Sequence, residues 1–277
     1  MSKRYVDVVV VSDIHLGTFG CQAKELNNYL KSIKPKTLIL NGDIIDIWSF
    51  RKNYFPPAHM KIIRQIFHMA SKGTKVIYIT GNHDELLRKF TDLNLGNIHL
   101  CNKHVLHLNG ERVWLFHGDV FDSSVHGAKL LAKLGGIGYD ILIRVNSWVN
   151  FWLEKFGRDK YSFSKRIKNS VKKALKYISD FEETAAELAI DQGFEYVICG
   201  HIHQPQMRII ENKKGKVHYF NSGDWIENLT ALEYVNAKWN MYTYDADDFK
   251  SIKKEVKESG ESKEFETLLR LVSPKKV

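Results

Sequence analysis

The stretch Val8-Val9-Val10-Val11-Ser12-Asp13-Ile14-His15-Leu16-Gly17 decides the reading of this chain. Four consecutive valines are too β-branched to favour a helix and too apolar for a surface strand, so they predict a strand buried on both faces. A carboxylate and an imidazole follow at once, two residues apart and beside a glycine. On an extended segment this spacing points Asp13 and His15 to one side and turns Ile14 toward the core.

The same order recurs four times. Thr37-Leu38-Ile39-Leu40 runs into Asn41-Gly42-Asp43, and Val76-Ile77-Tyr78-Ile79 into Gly81-Asn82-His83-Asp84. Val113-Trp114-Leu115-Phe116 runs into His117-Gly118-Asp119, and Tyr196-Val197-Ile198-Cys199 into Gly200-His201-Ile202-His203. Helical periodicity at 24–33, 60–72 and 180–192 separates several of these runs, the last with Phe181, Thr184, Ala185, Leu188 and Ala189 on one face. Alternation of this kind predicts an α/β fold. Ligands of open α/β sheets gather beyond the carboxyl ends of the strands, so five such loops can bring scattered polar side chains to one edge. Gly17, Gly42, Gly81, Gly118 and Gly200 sit where tight turns or a close approach need a missing side chain.

Beyond Gly200, strands are predicted near 207–210, 217–220, 231–234 and 239–244, with turns at Asn-Lys-Lys-Gly and Asn-Ala, so the sheet finishes antiparallel. Residues 1–246 read as one domain. Residues 122–179 break the strand rhythm and read as a helical insertion or lid, with an apolar helix through 139–156 and a basic one through 158–176. Residues 247–277 are mostly Lys, Glu and Ser, which predicts a charged, mobile or weakly helical tail.

The 277 residues, 44% hydrophobic and 12% aromatic, are enough for a sizeable core. With 41 basic against 32 acidic side chains the net charge is +9, which favours anionic partners: phosphorylated metabolites, nucleic acid or an acidic membrane surface. Cys21, Cys101 and Cys199 are odd in number and widely spaced, which fits a reducing cytoplasm rather than a disulfide framework. The apolar start is too short for a signal peptide or a membrane span.

These five blocks resemble the calcineurin-like metallophosphoesterase superfamily, whose ordered pattern is Asp-x-His, Gly-Asp, Gly-Asn-His-Asp/Glu, His and Gly-His-x-His. The resemblance runs from Val8 to about Asp224. It implies a four-layer α/β/β/α sandwich with a dinuclear metal centre on its edge. Carried over block by block, Asp13, His15, Asp43 and His203 would bind one ion. Asp43, Asn82, His117 and His201 would bind the other, with Asp43 as the bridge. A mixed imidazole and carboxylate set suits Mn, Fe, Zn or Co better than Mg or Ca, and the family often runs on Mn(II). Two such ions about 3.5 to 4 Å apart clamp a phosphoryl oxygen and make a hydroxide from a bridging water for in-line attack. His83 would donate to the phosphoryl group or leaving oxygen, with Asp84 orienting its ring and Asp119 supporting the site from behind.

Within the superfamily the chain is similar to the UDP-2,3-diacylglucosamine pyrophosphohydrolase branch, through Ser12-Asp13-Ile14-His15-Leu16-Gly17, Gly42-Asp43-Ile44-Ile45-Asp46, the His117-Gly118-Asp119 block and the insertion after it. Well-known members of that branch carry Arg where this chain has His83. The chain looks more like a second subgroup that keeps Gly-Asn-His-Asp and a Ser-Asp-Phe-Glu-Glu segment, here Ser179 to Glu183. The implied substrate is a pyrophosphate-containing, nucleotide-linked lipid, met in the cytoplasm or peripherally at the inner membrane face. The stretch 158–176 holds eight Lys or Arg against Asp159 alone and follows an aromatic segment. It reads either as a solvated helix face or as an interfacial lid in which Trp152, Arg158, Lys165 and Arg166 meet substrate or membrane. A soluble-nucleotide phosphodiesterase or phosphatase is the alternative. A nuclease ranks lower because no nucleic-acid-binding module accompanies the core, and a non-catalytic scaffold ranks lower because no ligand position is degraded.

Overall fold

The computed structural model describes residues 3–48, 54–122 and 163–249. Two sheets stack face to face. The larger contains β1 (Arg4–Val11), β2 (Ile33–Asn41), β3 (Lys75–Ile79), β4 (Asn94–Leu95), β5 (Ile98–Cys101), β11 (Thr230–Val235) and β12 (Lys238–Thr243), in the order β12-β11-β1-β2-β3-β5-β4. The smaller contains β6 (Lys103–Leu108), β7 (Glu111–Phe116), β8 (Tyr196–Cys199), β9 (Gln206–Asn212) and β10 (Gly215–Asn221), in the order β6-β7-β8-β10-β9. Helices α1 (Ala23–Ser32) and α2 (Pro57–Ser71) make the β1–β2 and β2–β3 crossovers, and α3 (Phe163–Asp191) precedes β8.

Side-chain alternation builds the layers. Val8, Val10, Ile39, Ile77, Ile79, Leu115 and Ile198 face inward and fill the space between the sheets. Val9, Val11, Leu38, Leu40 and Val76 face the other way and pack on Leu26, Leu30, Ile62 and Ile66 of α1 and α2. On the far side Val197, Cys199, Val217 and Tyr219 pack on Phe181, Ala185 and Ala189 of α3. The result is the α/β/β/α sandwich, and the valine run is buried on both faces as its composition requires.

β1, β2, β3 and β5 pair in parallel, whereas β9, β11 and β12 pair antiparallel, so the sheets finish antiparallel as expected. Three strands, β4 to β6, have no clear counterpart in the hydrophobic pattern. They are short or interleaved with Lys and His, although Asn109-Gly110, both at positive φ between β6 and β7, carries the hairpin signal.

The basic stretch and the 180–192 helix are not separate elements. One helix, α3, runs across residue 179, because no Pro or Gly interrupts 163–191. Trp152, Arg158 and the apolar 139–156 stretch lie outside the described residues, while Lys165 and Arg166 fall within α3. The three cysteines are free thiols. Among the described residues no helix is long and apolar enough to cross a membrane.

Phe181 of α3 is fully buried beneath the loops after β7 and β8, and a Cβ on Gly118 would strike its ring. Phe181→Ala should cost about 3–5 kcal/mol, read as a lower denaturant midpoint at unchanged m-value. A change within 0.5 kcal/mol would remove α3 from the supports of these loops.

Candidate metal centre

The loops after β1, β2, β3, β7 and β8 converge at one edge of the sandwich, with the two sheets contributing opposite halves. Asp13, His15, Asp43 and His117 are buried, and Asn82, His83, His201 and His203 are half-buried. Donor atoms fall into three sets, each mutually within 4.8 Å: Asp13, His15 and His203; His15, Asp43 and His83; Asp43, His117 and His201.

Two carboxylates are held in the same manner. Asp43 Oδ1 accepts the His83 N–H at 2.8 Å, which leaves Oδ2 facing His117 Nε2 at 3.3 Å, His15 Nε2 at 3.9 Å and His83 Nε2 at 4.0 Å. Asp13 Oδ2 accepts the His201 N–H at 3.1 Å, and Oδ1 faces His203 Nε2 at 3.2 Å. His117 Nδ1 lies 2.9 Å from the Asn41 carbonyl, so Nδ1 carries the proton given to that carbonyl and Nε2 points at Asp43. A Cβ on Gly42 would overlap the His117 ring and one on Gly81 the Asp43 carboxylate, so glycine here is a condition of the approach.

The backbone departs from the expected extended conformation. Asp13, His15, Asp43, His201 and His203 all have φ between 52° and 68°. The shared orientation of each Asp-x-His or His-x-His pair therefore comes from alternate left-handed residues, while Ile14 stays fully buried. Left-handed non-glycine residues cost of order 1–3 kcal/mol each, and such strain persists where the surroundings fix it.

The site fits cations. Asp13 Oδ1, Asn82 Oδ1 and His117 Nε2 are buried atoms with no partner in hydrogen-bonding geometry. Orphaned buried atoms cost free energy unless something binds them, and those of Asp13 and His117 belong to the donor sets that share the Asp43 carboxylate or adjoin it. Protonation tells the same story. Burial pushes His117 down, but Asp43 more than offsets this and raises it well above the ordinary imidazole range. His203 is likewise pushed down by burial yet raised to about 9 by Asp13. Asp43 is pushed up by burial, but the neighbouring imidazoles, His117 foremost, hold it far below the usual carboxylate range.

A family model described as calcineurin-like phosphoesterase matches residues 6–205. The chain belongs to the calcineurin-like phosphoesterases. It is accordingly a metal-dependent hydrolase of phosphoester or phosphoanhydride bonds. Three relatives named UDP-2,3-diacylglucosamine hydrolase are similar to it over most of their length. That of Aliivibrio fischeri strain MJ11 is 24% identical, covering 85% of this chain and 97% of the relative. That of Wigglesworthia glossinidia brevipalpis is 24% identical, covering 86% and 94%. That of Aeromonas salmonicida strain A449 is 26% identical, covering 82% and 89%.

Around the phosphoesterase donor set, the supporting contacts differ from those expected. Asp84 does not orient His83. Its buried carboxylate accepts the Gly81 N–H at 2.5 Å, the Ile44 N–H at 3.0 Å and the Tyr78 hydroxyl at 2.7 Å, tying the loops after β2 and β3 together. Burial, and then Asp43, push Asp84 above the ordinary carboxylate value against the pull of those three donors. Asp46 instead faces His83, with Oδ2 3.2 Å from Nδ1, and Trp48 lies against the same ring at 4.7 Å between centroids. Asp119 pairs with Arg88 at 2.5 Å rather than touching His117. Asp122 is the acid on His201, 2.7 Å from Nε2, and is itself held at 3.0 Å by the Tyr177 hydroxyl of α3. His59 of α2 accepts the Gly17 N–H at 2.9 Å and anchors the first loop. Asp46 and Asp122 stand close in sequence to Asp43 and His117, but only the loop geometry singles them out from their neighbours.

Asp84→Ala orphans three donors and should lower stability by about 3 kcal/mol or more, read by denaturant unfolding. Asp46→Ala should keep stability and metal content and lose about 10–100-fold in turnover. If the two variants exchange these signatures, the roles are reversed. Imidazole must be neutral to bind a cation, so His117 and His203 must release protons on loading. Apparent cation affinity should therefore climb with pH toward about 9, by about tenfold per unit for each proton displaced, in a chelator-competition titration. Affinity independent of pH would mean that neither imidazole is a ligand.

Proposed function

We propose that this phosphoesterase hydrolyses the pyrophosphate of a nucleotide-linked, acylated sugar. The activity is that named for its relatives, and Mn(II) would serve as the divalent ion. Asp13, His15, Asp43 and His203 would hold one cation, and Asp43, Asn82, His117 and His201 the other. The observation that carries the reading is the convergence of Asp13, His15, Asp43, His117, His201 and His203 in overlapping donor sets, with buried atoms of Asp13 and His117 left without a hydrogen bond. Cations bound there supply charge neutralisation for phosphoryl oxygens and acidify water.

The chain's own residues do the rest. His83 is the imidazole placed at the mouth of the donor set, with its Nε2 toward Asp43 and its Nδ1 toward Asp46. With Nδ1–H kept on the ring and directed at Asp46, protonated His83 would present Nε2–H to the departing phosphate oxygen and return to the neutral imidazole as that proton leaves. Trp48, half exposed against His83, limits the ring's rotation and borders the approach. The substrate class rests on the relatives' shared name and on near-complete mutual coverage. The insertion at 122–179 would choose the leaving group, meeting lipid or membrane through Trp152, Arg158, Lys165 and Arg166, with the protein peripheral to a cytoplasmic membrane face.

A panel assay with Mn-loaded protein tests the reading: UDP-diacylglucosamine, simple nucleotide diesters, phosphomonoesters and single-stranded DNA, with Asp43→Ala as control. The acylated pyrophosphate should be the preferred substrate, and faster turnover of a soluble diester would overturn the lipid assignment. His83→Ala should retain its metal and lose about 10²–10⁴-fold in kcat. Loss of metal would make His83 a ligand instead.

A further inference from the structure

Gly200-His201-Ile202-His203 supplies two imidazoles from one turn, and the two are supported in different ways. His203 has Asp13 facing its Nε2 at 3.2 Å, and Asn228 donates to its carbonyl at 3.0 Å. Its Nδ1 lies 4.0 Å from Asp224, beyond hydrogen-bonding distance. His201 instead has its Nε2 2.7 Å from Asp122 Oδ1. His117, grouped with His201 around Asp43, spends its Nδ1 on the neutral carbonyl of Asn41. Of that pair, His201 is the one with a carboxylate behind it.

Asp122 is firmly mounted. It follows the 3-10 turn Asp119–Phe121, and its N–H reaches the Asp119 carbonyl at 3.1 Å. The preceding Phe121 is buried, with its ring 5.6 Å from that of Phe116 and 5.4 Å from that of Phe181. The same Oδ1 that meets His201 accepts the Tyr177 hydroxyl of α3 at 3.0 Å, across 55 residues of sequence. A carboxylate only accepts, so its neighbours supply both protons, O–H from Tyr177 and Nε2–H from His201. That fixes the imidazole tautomer and leaves Nδ1 as the nitrogen with a lone pair for a cation. One turn further along α3, the Phe181 ring lies 6.1 Å from that of His201, so the helix meets this imidazole twice.

We propose that Tyr177 and Asp122 are positioning residues for His201, a relay through which the placement of α3 sets the affinity of the cation held by His117 and His201 rather than that of the other. The relay rests on the ligand assignment proposed above. An acid behind a ligating imidazole fixes the ring and raises its basicity, and its loss costs about 10–100-fold in metal affinity. Coupling of this kind is reciprocal, so a cation on His201 also holds Asp122, Tyr177 and α3 more firmly in place.

Stepwise chelator competition with Mn(II) on the full chain, with bound metal counted by mass spectrometry, tests this. Asp122→Ala should bind one ion as the wild type does and the other about 10–100-fold more weakly. Tyr177→Phe removes only the hydroxyl and should weaken the same ion by about 2–10-fold, the worth of one hydrogen bond. Asp122→Asn keeps an acceptor oxygen and should fall between Asp122→Ala and the wild type. Nitrogen-15 shifts of His201 without metal should report the Nε2–H tautomer in the wild type and a mixture in Asp122→Ala. Amide exchange over 174–181 should slow on Mn(II) loading, and less so in Tyr177→Phe. Unchanged binding in Asp122→Ala overturns the relay, as does equal weakening of both ions. Tighter binding does so too, by making Asp122 a competitor for Nε2. His201→Ala separates the two levels: loss of one ion there but not in Asp122→Ala overturns the relay alone, whereas retention of both ions removes the ligand assignment and the relay with it.

Discussion

The site depends on one carboxylate oxygen being kept free while its partner is tied down. Asp43 Oδ1 is spent on the His83 amide, so Oδ2 must project into the space shared by His15, His83 and His117. Asp13 repeats the device from the neighbouring strand, with the His201 amide as its anchor. Each anchoring amide belongs to a different donor loop, so the positions of the donors are mutually dependent. Moving the β3 loop withdraws the anchor of Asp43, and moving the β8 loop withdraws that of Asp13. This interlock is what holds five candidate ligands in left-handed backbone, a conformation that none of them would favour alone.

The stacking of the sheets follows from the same need. The loops after β1, β2 and β3 bring Asp13 and His15, Asp43, and His83, and those after β7 and β8 bring His117, His201 and His203 from the opposing sheet. The core between them, from Val8 and Val10 to Leu115 and Ile198, sets the distance at which the two halves meet. Behind His117 and His201, Phe181 of α3 closes the last gap, and Tyr177 of the same helix reaches Asp122. α3 therefore reaches His201 through a chain of two side chains, Tyr177 and Asp122.

Much of this was legible in the amino-acid sequence, because the fold and the donor list share one signal. A valine run that ends in Asp-x-His states both that a strand is buried and that its carboxyl end is polar, and five repeats of the statement place the edge. The backbone conformation at that edge was not legible. Spacing of two predicts the same side for an extended chain, yet alternate left-handed residues achieve it here, and no side-chain pattern distinguishes the two. Continuity of α3 was hidden for another reason: Ser179-Asp180 resembles a helix start, but nothing upstream terminates the preceding helix. β4 to β6 carry too little apolar alternation to stand out from loops.

The exchange of roles between Asp46 and Asp84 shows why adjacency in sequence misleads at such an edge. Asp84 follows His83 directly, but a tight turn after β3 points successive side chains in opposite directions, and Asp84 goes inward to Gly81, Ile44 and Tyr78. The acid that meets His83 must then come from a neighbouring loop, and the parallel pairing of β2 with β3 brings Asp46 there. Asp84 still governs that contact, since its bond to Ile44 fixes the loop on which Asp46 rides, two residues further along. The surroundings of His83 are thus set by two carboxylates in series, one that faces the ring and one that fixes where the first can stand.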